Sequence, residues 1–219
     1  LTVTGATVSP GNPIGRHGTL STGDLAFSAD STFNVQLNGT GAGTGYDQLN
    51  VTGSVTLNNC ALSTAFGFGP IPGTTFMIIN NDGVDPVVGI FNGLPDNAVF
   101  QTGGRYYAIT YSGGDGNDVT LRRVNNPPSF TRGADQTVLE DGGPQTAINW
   151  ATGFTPGPPE EPGQSLLGYI VSTNNPALFS VQPAIATDGA LTYTPALHAW
   201  GMATVTVHAR DNGGTANGG

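Results

Sequence analysis

The sequence predicts an all-β protein in two parts: a β-solenoid or other β-rich domain over residues 1–123, then a β-sandwich over residues 124–219 that lacks its last strand. Three observations carry this. Apolar residues alternate with Thr, Ser and Asn in short runs, the period of a half-buried strand. Glycine (34) and proline (16) punctuate those runs at short intervals, while charged residues make up only 10% of the 219 positions. No window between Leu1 and Arg123 sustains a helical period.

Taken in order, the first half reads as strands at 1–5, 18–27, 31–37, 49–53, 54–57 and 75–79. Leu1-Thr2-Val3-Thr4-Gly5 returns as Leu49-Asn50-Val51-Thr52-Gly53, each copy followed by another alternating run. Regular short strands broken by Gly, Asn and Asp predict a solenoid or a sandwich. Arg122-Arg123-Val124-Asn125-Asn126-Pro127-Pro128 marks the boundary. Two successive prolines force extended backbone and remove two donors, which makes a stiff linker, with Phe130 as the first anchor of the next core. Beyond it the strands are 136–139, 146–150, 168–172, 178–181, 190–195 and 203–209, with turns at Asp141-Gly142-Gly143, Asn174-Asn175-Pro176 and Asp188-Gly189. Six strands at that spacing suit an immunoglobulin-like or cadherin-like sandwich, which normally has about seven. The tail Asn217-Gly218-Gly219 stands where the last strand is expected. An incomplete sandwich carries an unpaired edge, and Val205 and Val207 on the strand before the tail are candidates for pairing with a second chain. Leu1 and Val3, in the N-terminal run 1–8, are the candidate donor.

The first half resembles the autotransporter-associated β-strand repeats of large bacterial surface proteins. The words that carry the resemblance are Ser9-Pro10-Gly11-Asn12-Pro13, Gly18-Thr19-Leu20, Tyr46-Asp47-Gln48-Leu49-Asn50-Val51, Phe76-Met77-Ile78-Ile79-Asn80-Asn81-Asp82-Gly83 and 111–119. It covers about the first 121 residues and implies the end of a parallel β-helix followed by a capping β region. The second half resembles the cadherin-like repeats of bacterial adhesins, through Asn126-Pro127-Pro128-Ser129-Phe130, Val138-Leu139-Glu140-Asp141, Ala177-Leu178-Phe179-Ser180-Val181 and Thr192-Tyr193-Thr194-Pro195. That resemblance implies calcium between repeats, with Glu140 and Asp211 where two ligands stand. The linker residues Arg122, Arg123, Val124 and Asn125 depart from the pattern, since none brings a carboxylate. Gly113-Gly114-Asp115-Gly116-Asn117-Asp118 resembles one copy of the calcium nonapeptide of toxin β-rolls, with Asp115 and Asp118 as ligands. A hairpin turn is the simpler reading of a single copy, because those sites are shared between stacked turns.

Composition excludes some functions. The formal net charge is −9 and the six cationic residues are all arginine, which rules against a nucleic-acid surface, since that needs a clustered basic face. Without lysine no Lys–Asn isopeptide staple forms. Cys60 is alone, so there is no intrachain disulfide or thiolate metal site; among Val55, Leu57 and Leu62 it reads as a buried apolar residue. No run approaches a membrane span, and no leader peptide is visible. His17, His198 and His208 are scattered, with His208 expected on the solvent face of its strand. Glu160-Glu161 lies in a Pro-rich loop that reads as a solvated edge, and Trp150 and Trp200 read as core or rim aromatics. The expected function is non-enzymatic and requires no cofactor: an extracellular or cell-surface bacterial structural or adhesion module, paired with neighbouring copies of itself, as in a filament. The alternatives are a calcium- or glycan-dependent adhesin and the C-terminal part of a β-helical polysaccharide-degrading enzyme.

Overall fold

The computed structural model describes residues 1–11 and 16–214 and divides into two compact units, Leu1–Val124 and Asn125–Gly219. Residues 12–15, which include Pro13 of the first repeat-like word, and the tail 215–219 lie outside the described residues. The chain is all β, with a single 3₁₀ turn at Pro176–Leu178 as its only helical element among those residues.

The first unit is a three-sided coil. Its first turn contributes β1 (Thr2–Val3), β2 (Thr7–Val8) and β3 (Thr19–Thr22). The second contributes β4 (Leu25–Phe27), β5 (Thr32–Leu37) and β6 (Gln48–Val51), and the third β7 (Val55–Thr56), β8 (Ala61–Phe66) and β9 (Thr75–Asn81). Like strands of successive turns pair in parallel, β1-β4-β7, β2-β5-β8 and β3-β6-β9, with partners 24 to 30 residues apart. This spacing corrects the repeat read from the sequence. Val3 lies on β1 and Val51 on β6, so the two Leu-x-Val-Thr-Gly words sit on different sides of the coil.

Stacking in register puts like residues above like. The interior column holds Leu25, Phe27, Phe33, Val35, Leu49, Val55, Ile78 and Ile79, all at most 3% exposed. Phe33 sits between the rings of Phe27 and Phe91, with centroids 6.1 Å away on each side. Corners are fixed by polar groups. The buried Asp47 carboxylate accepts the Gly18 and Gln36 amides at 2.9 and 3.0 Å, and Asp24 accepts the Ser54 amide and hydroxyl. Asn58 and Asn59 turn the next corner with left-handed φ of 48° and 62°, a conformation that Asn tolerates better than most side chains.

Beyond the third turn the chain closes that end. Val88, Ile90 and Asn92 exchange main-chain bonds with residues 55–60, and an antiparallel meander follows: β10 (Val99–Thr102), β11 (Arg105–Gly113) and β12 (Asp118–Val124). β12 pairs with β9, which extends that side to six strands in the order β10-β11-β12-β9-β6-β3. Gly113-Gly114-Asp115-Gly116-Asn117-Asp118 is the hairpin turn between β11 and β12. At the other end β1, β2 and β3 each close their sheet order with one edge unpaired among the described residues.

The second unit contains β13 (Ser129–Arg132), β14 (Gln145–Ala147), β15 (Ala151–Thr155), β16 (Leu166–Thr173), β17 (Phe179–Ile185), β18 (Leu191–Pro195) and β19 (Val205–Asp211). The pairings are β13-β15, β14-β18-β17 and β16-β19, all antiparallel. Residues 136–139, expected as a strand, pair with nothing among the described residues; Val138 only rests its side chain on the core. The expected strand at 146–150 stops after Ala147, because Asn149 takes φ 54° and starts a new strand at Ala151. The core is thin. Among the described residues its apolar cluster holds four buried side chains, Ala151, Ile185, Leu191 and Tyr193, with Ala209 buried on β19, whereas the cluster of the first unit holds twenty-one.

Candidate functional site

The open edge is built by β19. Its alternation turns Val205, Val207, Ala209 and Asp211 inward and leaves Thr206, His208 and Arg210 exposed, as expected for His208. One edge is fully used, pairing with β16 from Val205↔Thr173 to Leu166↔Asp211. Among the described residues β19 has no strand on its other side. A strand of this length presents a row of amides and carbonyls there, and such a row is a template for another strand.

Beside that edge runs a groove of about 430 Å³ lined by Pro127, Pro128, Ser129, Phe130, Val207, His208 and Ala209. Its walls follow from the sequence. The prolines hold residues 127–128 extended and offer no N–H, and Phe130 then turns onto Tyr169, ring edge to ring face at 5.1 Å. Burial against this apolar floor pushes the Tyr169 hydroxyl above its ordinary pKa. Phe130, Tyr169, Val138 and Val207 all remain only partly covered. The groove thus combines an unpaired backbone edge with half-covered apolar side chains, the two things an added strand satisfies together.

Other residues singled out from the sequence are placed differently. Leu1 and Val3 belong to no free donor strand: β1 is paired with β4, Thr2 to Ala26 and Val3 to Phe27, and Val3 is 4% exposed inside the coil. Lifting it out would empty the first turn. Glu140 and Asp211 are not brought together. Asp211 Oδ1 accepts the Gly213 amide at 2.9 Å and the Asn125 side-chain amide at 3.4 Å. Glu140 instead lies in the exposed turn whose Asp141 bonds the His198 amide. Asp115 is exposed and gives only its N–H to Asp118, whereas Asp118 is buried.

Three further placements depart from expectation or refine it. Glu161 is no solvated edge: it is 3% exposed, and its Oε1 accepts the Asn126 amide at 2.9 Å. The Pro-x-Pro-Pro context hid this, because the turn closed by Glu161 N–H to Pro158 folds the loop back on the linker. Trp150 packs on the core with its indole N–H on the Ala134 carbonyl, while Trp200 is 84% exposed, beyond any rim, on a loop with Leu197 and Met202 also exposed. Cys60 is fully buried, and burial pushes its thiol up to about 11.

No helix among the described residues is long and apolar enough to cross a membrane. No protein-family model, curated protein or solved structure matches the chain.

Proposed function

We propose that this chain is a non-enzymatic extracellular structural and adhesion module of a bacterial surface, and that it joins neighbouring copies of itself by β-strand pairing at the outer edge of β19. The observation that supports this is the edge of β19 left unpaired among the described residues, beside a half-covered apolar groove, in a unit whose apolar cluster has only four buried side chains. The complementary edge is the first turn of the coil in the next copy, where β1, β2 and β3 each end their sheets. Different patches on the two copies make the contact head-to-tail, which gives an open chain of molecules unless the rotation closes a ring.

Light scattering on the purified chain tests this. Mass is expected to rise with concentration. Glutamate in place of Val207, or lysines in place of the exposed Thr2 and Thr7, should hold it at the 22.3 kDa monomer. A wild-type chain that stays monomeric over a hundredfold concentration range while its sandwich remains folded contradicts the proposal.

A second reading, a glycan-binding adhesin, is favoured by one observation, the exposed Trp200 indole with Leu197 and Met202 beside it in sequence. Quenching or enhancement of tryptophan emission by oligosaccharides, abolished in Trp200→Ala, would support it, and unchanged emission counts against it.

A further inference from the structure

We infer that Asn212-Gly213, just past β19, is a self-modification site: the Asn212 side chain cyclises onto the Gly213 amide, releases ammonia and reopens as aspartate or isoaspartate. The sequence holds four Asn-Gly pairs, at Asn38, Asn92, Asn212 and Asn217. The last lies outside the described residues. Glycine after asparagine leaves the attacking nitrogen unshielded, so all four are competent in an unfolded chain. The fold singles out one of them.

Three groups converge on it. The nucleophile is the Gly213 main-chain nitrogen, whose N–H donates to Asp211 Oδ1 at 2.9 Å. This carboxylate is 2% exposed, and its Oδ2 is buried with no hydrogen-bond partner, which leaves it acceptor capacity for a proton. The electrophile is the Asn212 side-chain carbonyl, and its Oδ1 accepts the Ser165 main-chain N–H at 2.8 Å. That donor stands where negative charge gathers during attack. Asn125 and Gln164 position the base: the Asn125 side-chain amide donates to Asp211 Oδ1 at 3.4 Å, and Gln164 donates to Asn125 Oδ1 at 2.8 Å. They also demand glycine at 213, since a Cβ there would lie 2.6 Å from Asn125 Oδ1 and 2.5 Å from Gln164 Nε2. Asn212 itself is exposed, so water reaches it. The other two described pairs lack these partners. Among the described residues no carboxylate accepts the Gly39 or Gly93 amide, and no main-chain N–H reaches Oδ1 of Asn38 or Asn92.

Water is the one co-reactant the step needs. Asp211 takes the Gly213 proton as the nitrogen attacks Asn212 Cγ, and the oxyanion rests on the Ser165 N–H. The Cγ–Nδ2 bond then breaks, and ammonia leaves with the proton that Asp211 returns. Water opens the resulting five-membered imide at either carbonyl. Opening at the side-chain carbonyl leaves aspartate. Opening at the main-chain carbonyl leaves isoaspartate, which adds one carbon to the backbone beside the Leu166↔Asp211 pairing that closes β16 on β19.

Peptide mapping by mass spectrometry tests this on the full chain incubated at pH 6, 7 and 8, folded and in urea. In the folded chain Asn212 is expected to convert about tenfold or more faster than Asn92, at a rate that changes little with pH because the base is built in. In urea the two rates should meet and rise with pH, since hydroxide then supplies the base. Asp211→Asn keeps an acceptor for the Gly213 N–H but removes the base, and should bring Asn212 down to the Asn92 rate. Where circular dichroism shows that variant unfolded, the wild-type comparison and its pH profile decide. Folded wild type in which Asn212 converts no faster than Asn92, or at a rate that climbs steeply with pH, overturns the inference, as does an unaltered rate in folded Asp211→Asn.

Discussion

Replacing Phe33 by alanine probes whether the coil is held together by its interior column. The ring is fully buried, stacks on Phe91 at 6.1 Å and 19°, meets Phe27 at 6.1 Å, and lies in register with Val8 below and Leu62 above. Removing a ring from such a position costs about 3–5 kcal/mol, the lost transfer energy plus the cavity that two rigid neighbours keep open. The unit Leu1–Val124 has an unfolding entropy of roughly 0.26 kcal/mol/K on the usual per-residue scale. A loss of about 4 kcal/mol therefore lowers its midpoint by about 15 °C. Thermal unfolding followed by circular dichroism reads the shift, and hydrogen exchange over residues 25–66 assigns it to the coil. Val84→Ala, at a position 95% exposed, is the control and should stay within about 0.5 kcal/mol. A Phe33→Ala loss under about 1 kcal/mol would mean that the parallel turns do not stack as described.

Three further outcomes are expected. Burial holds the Asp118 carboxyl above 3.8, so the folded state binds its proton more tightly than the unfolded chain; the stability this contributes is complete below pH 3.8 and is lost as pH rises through the folded pKa. Asp24 and Asp30, held low by their hydrogen bonds, act in the opposite sense, so the comparison is between wild type and Asp118→Asn, whose stability difference should grow with pH in that window. Cys60, with its thiol pushed up to about 11 inside the coil, should react with thiol reagents at pH 8 only as fast as the coil opens; rapid labelling of the folded chain contradicts its burial. At the left-handed corner, Asn59→Gly should change the denaturation midpoint little and Asn59→Val should cost about 1–3 kcal/mol.

Much of the fold was legible because strand period survives in the sequence. The runs at 31–37, 75–79 and 168–172 became β5, β9 and β16, and the Pro-Pro linker lies just past the Val124–Asn125 boundary between the units. What escaped depended on partners. Ala61-Leu62-Ser63-Thr64-Ala65-Phe66 has weak intrinsic strand character and becomes β8 because it lies in register on Thr32–Leu37. Residues 136–139 show the reverse, a strong pattern with no strand beside it. The buried polar network at the tip of the β11–β12 hairpin divides in the same way. The glycine-rich word before Asp118 was legible as a hairpin turn, but Asn81 and Asp85 lie some thirty residues earlier, and only the β9–β12 pairing brings them to it. Glu161 was missed because a proline-rich context mimics a solvated loop, and nothing local reveals that the loop closes on Asn126.

The strand-pairing account rests on the amides of β19. They divide into those bonded to β16 and those facing outward, and residue-resolved hydrogen exchange separates the two sets. In dilute solution the outward amides should exchange fast while the inward ones are protected. At high concentration the outward set should become protected together with the amides of β1, β2 and β3. Association that leaves the outward amides of β19 exchanging freely would contradict the account.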